Sequence, residues 1–509
     1  MLINSEIIKS DFLKSVLFLL AVTIVGFIIR INYVYEDIPL TLDSFRYFLL
    51  GIDISLLGNF PNNYNNTNSG WPLFLSLIFQ SSNSNNYLDY MIIQRVSTVI
   101  LSVITTIPLY FLAQKFFKKE IAMVGACFFI FSPYMIENSL LGINDSLFIF
   151  LLTCFLAMFF SQKKINVLGS FIVLGFSTIV RYESILLILP SVIIFLYRYR
   201  VDKNFQKYII VGVILFLLVI TPMAIWKIQM GIPDGIISHL SSGASVVINE
   251  NSVSSSSNDR FDLLRGIINL PKFLGISLLP LIFIFIPYAI IPLLKKQNNN
   301  FRHLVLFGIV SCVSAFYAYS RGFEDIRYML FISPVLIIAS LFLIERLNQI
   351  IKRNNLILIV LILLIIISSI IYLDFRQTDY EREKEVLKIA EFVSKLDGKS
   401  NDYGPEAYYV EVMDLNEKEF PILSNQINFK SKIILLEGDT IIERINDAKN
   451  KEVSYLVVTS NTKDRIFLDV YDNQENYVYL EKIFDSEKDN SKFKVKIFKI
   501  NFEKFISKI

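Results

Sequence analysis

Long apolar runs alternate with short charged loops through the first three-quarters of the chain. Eleven apolar segments can be marked, at about 12–31, 90–113, 120–138, 145–161, 165–180, 184–198, 208–228, 272–294, 303–319, 328–345 and 355–373. Runs near ~20 residues match the thickness of a bilayer's hydrocarbon core. Each crossing must be helical, because lipid gives backbone amides no partner outside their own helix. The two segments that flank Arg181 are short and are expected to tilt or to penetrate part-way. The first segment lacks a small-residue cleavage site before the polar stretch Asn32–Asp37, so it is expected to stay as a span.

The pattern changes after residue 373. Glu381–Leu396 has the spacing of an amphipathic helix, Val453–Thr459 that of a buried strand, and Lys492–Ile500 alternates as an edge strand would. The expected architecture is an α-helical polytopic membrane protein of about eleven spans over residues 1–373. Its outer loops cover 32–89 and 229–271, and a small extracytoplasmic α/β domain covers 374–509. Lysine and arginine set the orientation. Lys115, Lys118, Lys119, Lys163, Lys164, Arg198, Arg200, Lys203, Lys207, Lys295, Lys296, Arg302, Arg346, Lys352 and Arg353 all fall on one face, with Lys9 and Lys14. That face is expected to be cytoplasmic, which puts the N-terminus inside and the tail outside a plasma membrane.

Composition agrees. Apolar residues make up 53% of the 509, charged residues 19%, and the mean hydropathy is +0.51. Soluble chains carry roughly 25% charged residues, so soluble globular, disordered and fibrous classes are excluded. A net charge of +3 gives no footprint for nucleic acid. His239 and His303 are the only histidines and cannot build a histidine-rich metal site. Cys127, Cys154 and Cys312 lie in apolar runs and read as buried small hydrophobes.

Ionisable residues at span mouths are functional candidates, and here they gather on the outer face. Asp43, Arg46 and Tyr47 stand at i, i+3 and i+4, on one face of a helix. A carboxylate there can take a proton from an attacking hydroxyl; the plainer alternative is a helix cap or surface ion pair, and spacing alone favours it. Asp145 opens the fourth span, where it or Asn144 can cap the helix. Arg181 offers a planar fork for phosphate. Its bland alternative is a pair with Glu183, which residues two apart on a helix cannot make unless the chain turns there. Arg321-Gly-Phe-Glu-Asp-Ile-Arg327-Tyr328 is an outer loop that can be a site or a salt-bridged turn. Trp71-Pro72 opens a stretch, 71–79, too short to span and fit to lie in the interface.

These motifs, in this order and on this face, resemble the membrane-embedded, polyprenyl-phosphate-dependent glycosyltransferases of the GT-C fold. The first acidic motif at Asp43, Gly70-Trp71-Pro72-Leu, Asp145-Ser-Leu-Phe, Gly175-Phe-Ser-Thr-Ile-Val-Arg181-Tyr-Glu183, Ile220-Thr-Pro222…Gly231-Ile-Pro233 and Arg327-Tyr328…Pro334 carry the resemblance over about residues 10–350. It is nearest to the protein mannosyltransferase and aminoarabinose transferase group (glycosyltransferase family 39-like), above all to archaeal members with an outer C-terminal domain. The resemblance implies Asp43 as the catalytic acidic residue, acting as general base, and Asp145 as the second acidic residue. It implies Arg181 and Arg327 as lining for the lipid phosphate, with Arg46, Tyr47, Trp71, Glu183 and Tyr328 as substrate contacts. It implies an inverting transfer from a polyprenyl-phosphate-linked sugar to a hydroxyl on protein, lipid or glycan, at the outer side of the membrane.

The sequence departs from the family in places. Ser44 follows Asp43 where many relatives carry a second carboxylate. Ser69 and Gly70 stand where bacterial aminoarabinose transferases have a lysine, which leaves Arg46 or Arg95 to substitute. With only Trp71 and Trp226 in the chain, the Trp-Trp-Asp motif of oligosaccharyltransferases is absent, which argues against asparagine-linked oligosaccharide transfer. Asp43 and Asp145 leave a divalent metal between them open, though two carboxylates alone do not specify one. Eleven spans also suit a transporter or flippase of a lipid-linked precursor, but charges gathered at one face and an outer globular domain favour interfacial chemistry. A catalytically inert scaffold would read the same from sequence.

Overall fold

The computed structural model describes the chain except residues 1, 41, 62–67, 202, 230–260, 278–281, 296–298, 352–355, 377–378, 414–420, 425–431, 490 and 508–509. The Ser/Asn-rich centre of the loop expected at 229–271 and the Gly231-Ile-Pro233 landmark therefore lie outside the described residues. Two compact units are present. The first contains Met1–Val34, Phe60–Phe74 and Gln94–Arg376; the second contains Tyr35–Asn59, Leu75–Ile93 and Gln377–Ile509. The tail thus shares its unit with much of the first outer loop.

Among the described residues of the first unit, the marked apolar segments fall on helices, apart from breaks such as those at 131–132 and 331–332 and short segment ends. Among the described residues, seven helices are long and apolar enough to cross a membrane: Leu13–Ile31, Tyr87–Ala113, Tyr182–Tyr199, Phe205–Gln229, Asn299–Ser320, Ser333–Ile350 and the one that begins with Leu356–Arg376. Asp145–Phe159 and Lys164–Val180 are shorter, at 15 and 17 residues. At 1.5 Å per residue they reach ~22 and ~26 Å, less than the ~30 Å hydrocarbon core. The two remaining segments are bent. Lys119–Ile130 and Pro133–Ser139 meet at 51°, and Leu263–Ser277 and Ile282–Leu294 at 108°. The second angle rules out one straight crossing over 272–294, because two arms so related cannot both follow the membrane normal.

The first bend has a local cause. Pro133 opens the second arm, and Ser132 before it is extended (φ −64°, ψ 123°), as a residue preceding proline prefers. A break inside lipid strands carbonyls that need donors. Arg30, fully buried, donates from Nη1 to Ile130 O at 2.8 Å and to Gly26 O at 3.0 Å, and from Nη2 to Ser102 Oγ at 3.2 Å. The Ser369 hydroxyl donates to Phe131 O. Small residues let helices approach elsewhere: a Cβ on Gly175 would lie 2.8 Å from Val219 Cβ, on the neighbouring helix. Phe155 and Phe159 pack edge-on against Phe307, with centroids 5.4 and 5.2 Å apart.

In the second unit a five-stranded sheet runs β2-β1-β3-β5-β4, with β1 Lys399–Asn401, β2 Ile433–Ile434, β3 Val453–Thr459, β4 Leu480–Asp485 and β5 Val495–Ile500. β1 is parallel to β2 and β3; β5 is antiparallel to β3 and β4. The sheet is apolar on both faces. Val457, Val495 and Ile497 pack with the helices Tyr380–Ser394 and Tyr408–Met413. Leu456, Val458, Phe498 and Ile500 pack with Ile441–Asn450 and Arg465–Asp472. β5 is therefore interior, not the edge expected over 492–500. Its Lys496 is buried yet satisfied, donating to Tyr471 O at 3.0 Å while its ammonium lies 4.3 Å from that ring's centroid. The edge on that side is β4, exposed at Glu481 and Lys482, a charged edge that resists pairing with another chain.

Ile38 of the first outer loop belongs to the core on the Tyr380–Ser394 side. Nearby, Tyr35 stacks on Tyr380 at 4.7 Å, and the Tyr380 hydroxyl donates to Asp37 Oδ2 at 2.7 Å.

Candidate active site

Helix Lys164–Val180 stops because Arg181 is extended (φ −143°, ψ 114°), and a 3₁₀ turn follows over Tyr182–Leu187. This is the chain turn that a pair two residues apart requires. Arg181 Nη2 donates to Glu183 Oε1 at 2.9 Å, and Nη1 donates to Asp145 Oδ1 at 2.6 Å. The guanidinium carbon lies 5.3 Å from the Phe148 ring centroid. The Arg181 and Asp145 side chains are only 10% and 6% exposed, so this ion pair is buried.

Neither capping expectation for this corner holds. Asn144 precedes the helix Asp145–Phe159 without a side-chain cap, and its Nδ2 donates to Val180 O at 3.3 Å. Asp145 is taken by Arg181. The loop before it is held from two sides: Gly142 O accepts from Trp71 Nε1 at 3.2 Å and from Gln94 Nε2 at 2.6 Å. Gly142 sits at φ +70°, a region glycine enters without strain. Trp71 is fully buried, so here its indole supports the loop that ends at Asp145. Gly70 beside it lets the short helix touch Val180, since a Cβ there would lie 2.8 Å from Val180 N. Backbone cannot yield as a flexible side chain does. Gly70→Ala is expected to cost about 1–3 kcal/mol and to lower activity by shifting Arg181; a wild-type melting midpoint and rate would remove this packing role.

Arg327 Nε donates to Asp325 Oδ2 at 2.6 Å, and Arg327 N to Asp325 Oδ1 at 2.9 Å. Arg265 donates to Glu324 at 3.0 Å. The loop is thus salt-bridged, as its plainer reading had it. It is also near the corner: the charges of Arg327 and Asp325 act on Asp145, and those of Arg181, Arg327, Asp325 and Asp145 act on the Tyr328 phenol. Asp145, Arg181, Glu183, Arg327 and Tyr328 therefore form one cluster. A narrow pocket opens beside it, lined by Phe148, Arg181, Glu183, Ser184, Ser311, Ser314 and Phe331 among others. Sequence reasoning missed Ser311 and Ser314, although two serines three apart inside an apolar span were a usable signal.

Asp43, Arg46 and Tyr47 lie in the second unit, on the helix Leu42–Leu57. Asp43 is in its first turn, and Asp43 and Arg46 are exposed. Leu42 has φ +52°, uncommon for a bulky side chain. Further along, Asp53 is 3% exposed. Its carboxylate accepts from Ser424 N at 2.7 Å and from the Ser424 hydroxyl. Burial pushes the Asp53 carboxyl above its ordinary range, and the two Ser424 bonds oppose that only in part. Among the described residues no three His, Cys, Asp or Glu side chains converge as a metal site would. Asp145 Oδ1 already accepts from Arg181.

Comparisons with known proteins fit this geometry. Residues 91–226, which include Asp145, Arg181 and Glu183, match the family model described as dolichyl-phosphate-mannose-protein mannosyltransferase. No curated protein matches the chain. Among solved structures, the oligosaccharyltransferase of Archaeoglobus fulgidus in complex with Zn and sulfate is similar over 94% of this chain and 72% of its own, with TM-score 0.58 and 13% identity. The same enzyme tethered to an acceptor peptide containing the NVT sequon is similar over 94% and 74%, with TM-score 0.55 and 12% identity. ArnT from Cupriavidus metallidurans, bound to undecaprenyl phosphate, is similar over 95% and 97%, with TM-score 0.50 and 11% identity. The chain has the GT-C fold, a polytopic helical membrane part with a small C-terminal α/β domain, as the motifs had implied.

Proposed function

We propose that this chain is an integral-membrane glycosyltransferase that moves a sugar from a polyprenyl-phosphate donor to a hydroxyl of a protein, lipid or glycan acceptor. The observation that carries the reading is the buried Arg181 cluster. Charged groups inside a membrane-spanning unit are costly and are kept for function. Here a guanidinium held by two carboxylates, with Arg327 and Tyr328 close by, stands at the mouth of a cleft lined by Phe148 and Phe331. That combination suits a ligand with an apolar chain and an anionic head.

In the reaction, the acceptor oxygen attacks the anomeric carbon while the bond from that carbon to the phosphate oxygen breaks. Asp43 takes the acceptor's proton, and the phosphate leaves still attached to its lipid. Arg181 and Arg327 stabilise the charge that grows on the leaving oxygen. Direct displacement inverts the anomeric centre. Arg46 and Tyr47 flank the base, and Asp145 and Glu183 hold Arg181 in place. The missing Trp-Trp pair keeps the acceptor on the hydroxyl side. The same reading leaves the N-terminus in the cytoplasm and the tail outside the plasma membrane, as the lysines and arginines of the loops direct.

Three carboxylates, those of Asp145, Glu183 and Asp325, face two guanidiniums in this cluster. An arriving phosphate must draw a guanidinium away from a carboxylate, and Arg327, 30% exposed, is the easier to turn. Polyprenyl phosphate added to the detergent-solubilised protein is expected to raise its melting midpoint, as a ligand of the folded state does. Arg327→Ala is expected to lose most of that rise. An equal rise in wild type and variant would take Arg327 out of the lipid-phosphate site.

A further inference from the structure

We propose that Tyr408, from the tail, packed against Phe45 on the helix that carries Asp43, is an acceptor-binding residue whose hydroxyl helps fix which hydroxyl of the acceptor reaches that base. The inference rests on Asp43 being the base, and it concerns a residue that no motif marks.

The helix Tyr408–Met413 is short and two-faced. Tyr409, Val410 and Met413 are buried in the core under the sheet. Tyr408 and Glu411, three residues apart, share the other face and are half-buried. On that face the Tyr408 ring meets Phe45 edge-on, at 6.1 Å and 88°. Phe45 is 2% exposed and follows Asp43 by two positions. The charges of Glu411, Arg46 and Asp43 all act on the Tyr408 phenol. A tail side chain therefore stands within electrostatic reach of the candidate base, inside one compact unit.

The contact is anchored at a second point. Asp53 lies ten residues beyond Asp43, about 15 Å along the helix, and it accepts two hydrogen bonds from Ser424. The helix that presents Asp43 is thus tied to the tail near both ends, by Phe45 against Tyr408 and by Asp53 to Ser424. The edge contact with Phe45 and the half-burial of the ring confine the hydroxyl more than that of a free surface phenol. Burial first, then the Glu411 carboxylate, push the phenol above its ordinary range. It remains a donor at neutral pH. Within electrostatic reach of a carboxylate that receives a proton, a confined donor suits an acceptor that carries a second oxygen next to its reacting hydroxyl.

Tyr408→Phe keeps the ring against Phe45 and removes only the hydroxyl. With host membrane extract as acceptor source and the polyprenyl-phosphate sugar the wild type uses as donor, the half-saturating amount of extract should rise about 3- to 10-fold, the loss of one hydrogen bond. Donor KM and the melting midpoint should stay at wild-type values. Unchanged half-saturation, or an equal rise for donor and acceptor, would overturn the assignment. Asp43→Asn measured in parallel separates the two levels. An active Asp43→Asn protein removes the base on which the inference rests, whereas an inactive one beside an indifferent Tyr408→Phe removes Tyr408 alone.

Discussion

Asp43→Asn is expected to lower sugar transfer by about 10²- to 10⁴-fold, the usual contribution of a positioned general base, with the fold intact. The side chain is exposed in the first turn of its helix, so an isosteric amide disturbs no packing. The helix itself is held elsewhere, by buried Phe45, Phe48 and Asp53. What the amide lacks is a site for the acceptor's proton. Initial transfer rates with a melting curve of each protein check both halves of the expectation. A full rate would remove Asp43 as base. A low rate with a collapsed melting curve would mean that the residue serves the fold.

Arg181→Ala is expected to act on stability and on donor use together. Removing one partner of a buried pair leaves the other charge uncompensated, at a cost of about 3–5 kcal/mol. Here the stranded group is the Asp145 carboxylate, 6% exposed. In the protein that still folds, KM for the lipid donor should rise more than KM for the acceptor. The two effects separate in the double variant Arg181→Ala with Asp145→Asn. Neutralising Asp145 should recover much of the stability, while donor use stays poor because the cation is still missing. Donor use that returns along with stability would reduce Arg181 to a structural ion pair. Arg181→Lys is expected to fall between, since one ammonium cannot fork to Asp145 and Glu183 as the guanidinium does.

The spans were legible because hydropathy is a local property, and the marked runs fall on helices apart from short breaks and ends. The 108° turn between Leu263–Ser277 and Ile282–Leu294 was not, since both arms are equally apolar. In the tail, Val453–Thr459 is the strand its continuous apolar run predicts. Val495–Ile500 was misplaced at the edge because its lysines look like solvent-facing positions, yet Lys496 is buried against Tyr471. The hydrogen bond from the Trp71 indole to the Gly142 carbonyl was not legible either, because the two residues are 71 positions apart.

The site divides in the same way. The residue types at Asp145, Arg181 and Arg327 were visible one by one. Their convergence was not, because Asp145 and Arg181 are 36 residues apart and meet only where a helix stops at an extended residue. That same stop makes the Arg181–Glu183 pair, which helical spacing forbids. Tyr408 could not have been found from sequence, for its helix meets the helix of Asp43 across more than 350 residues of chain.

Sugar transfer from a polyprenyl-phosphate donor can be measured by offering a panel of radiolabelled polyprenyl-phosphate sugars to wild type and Asp43→Asn with a membrane extract as acceptor. Label is expected to move into the extract from at least one donor with the wild type and from none with the variant. Wild-type protein that transfers no label, yet carries the lipid-linked sugar across vesicle membranes, would contradict the transferase reading and make the chain a transporter.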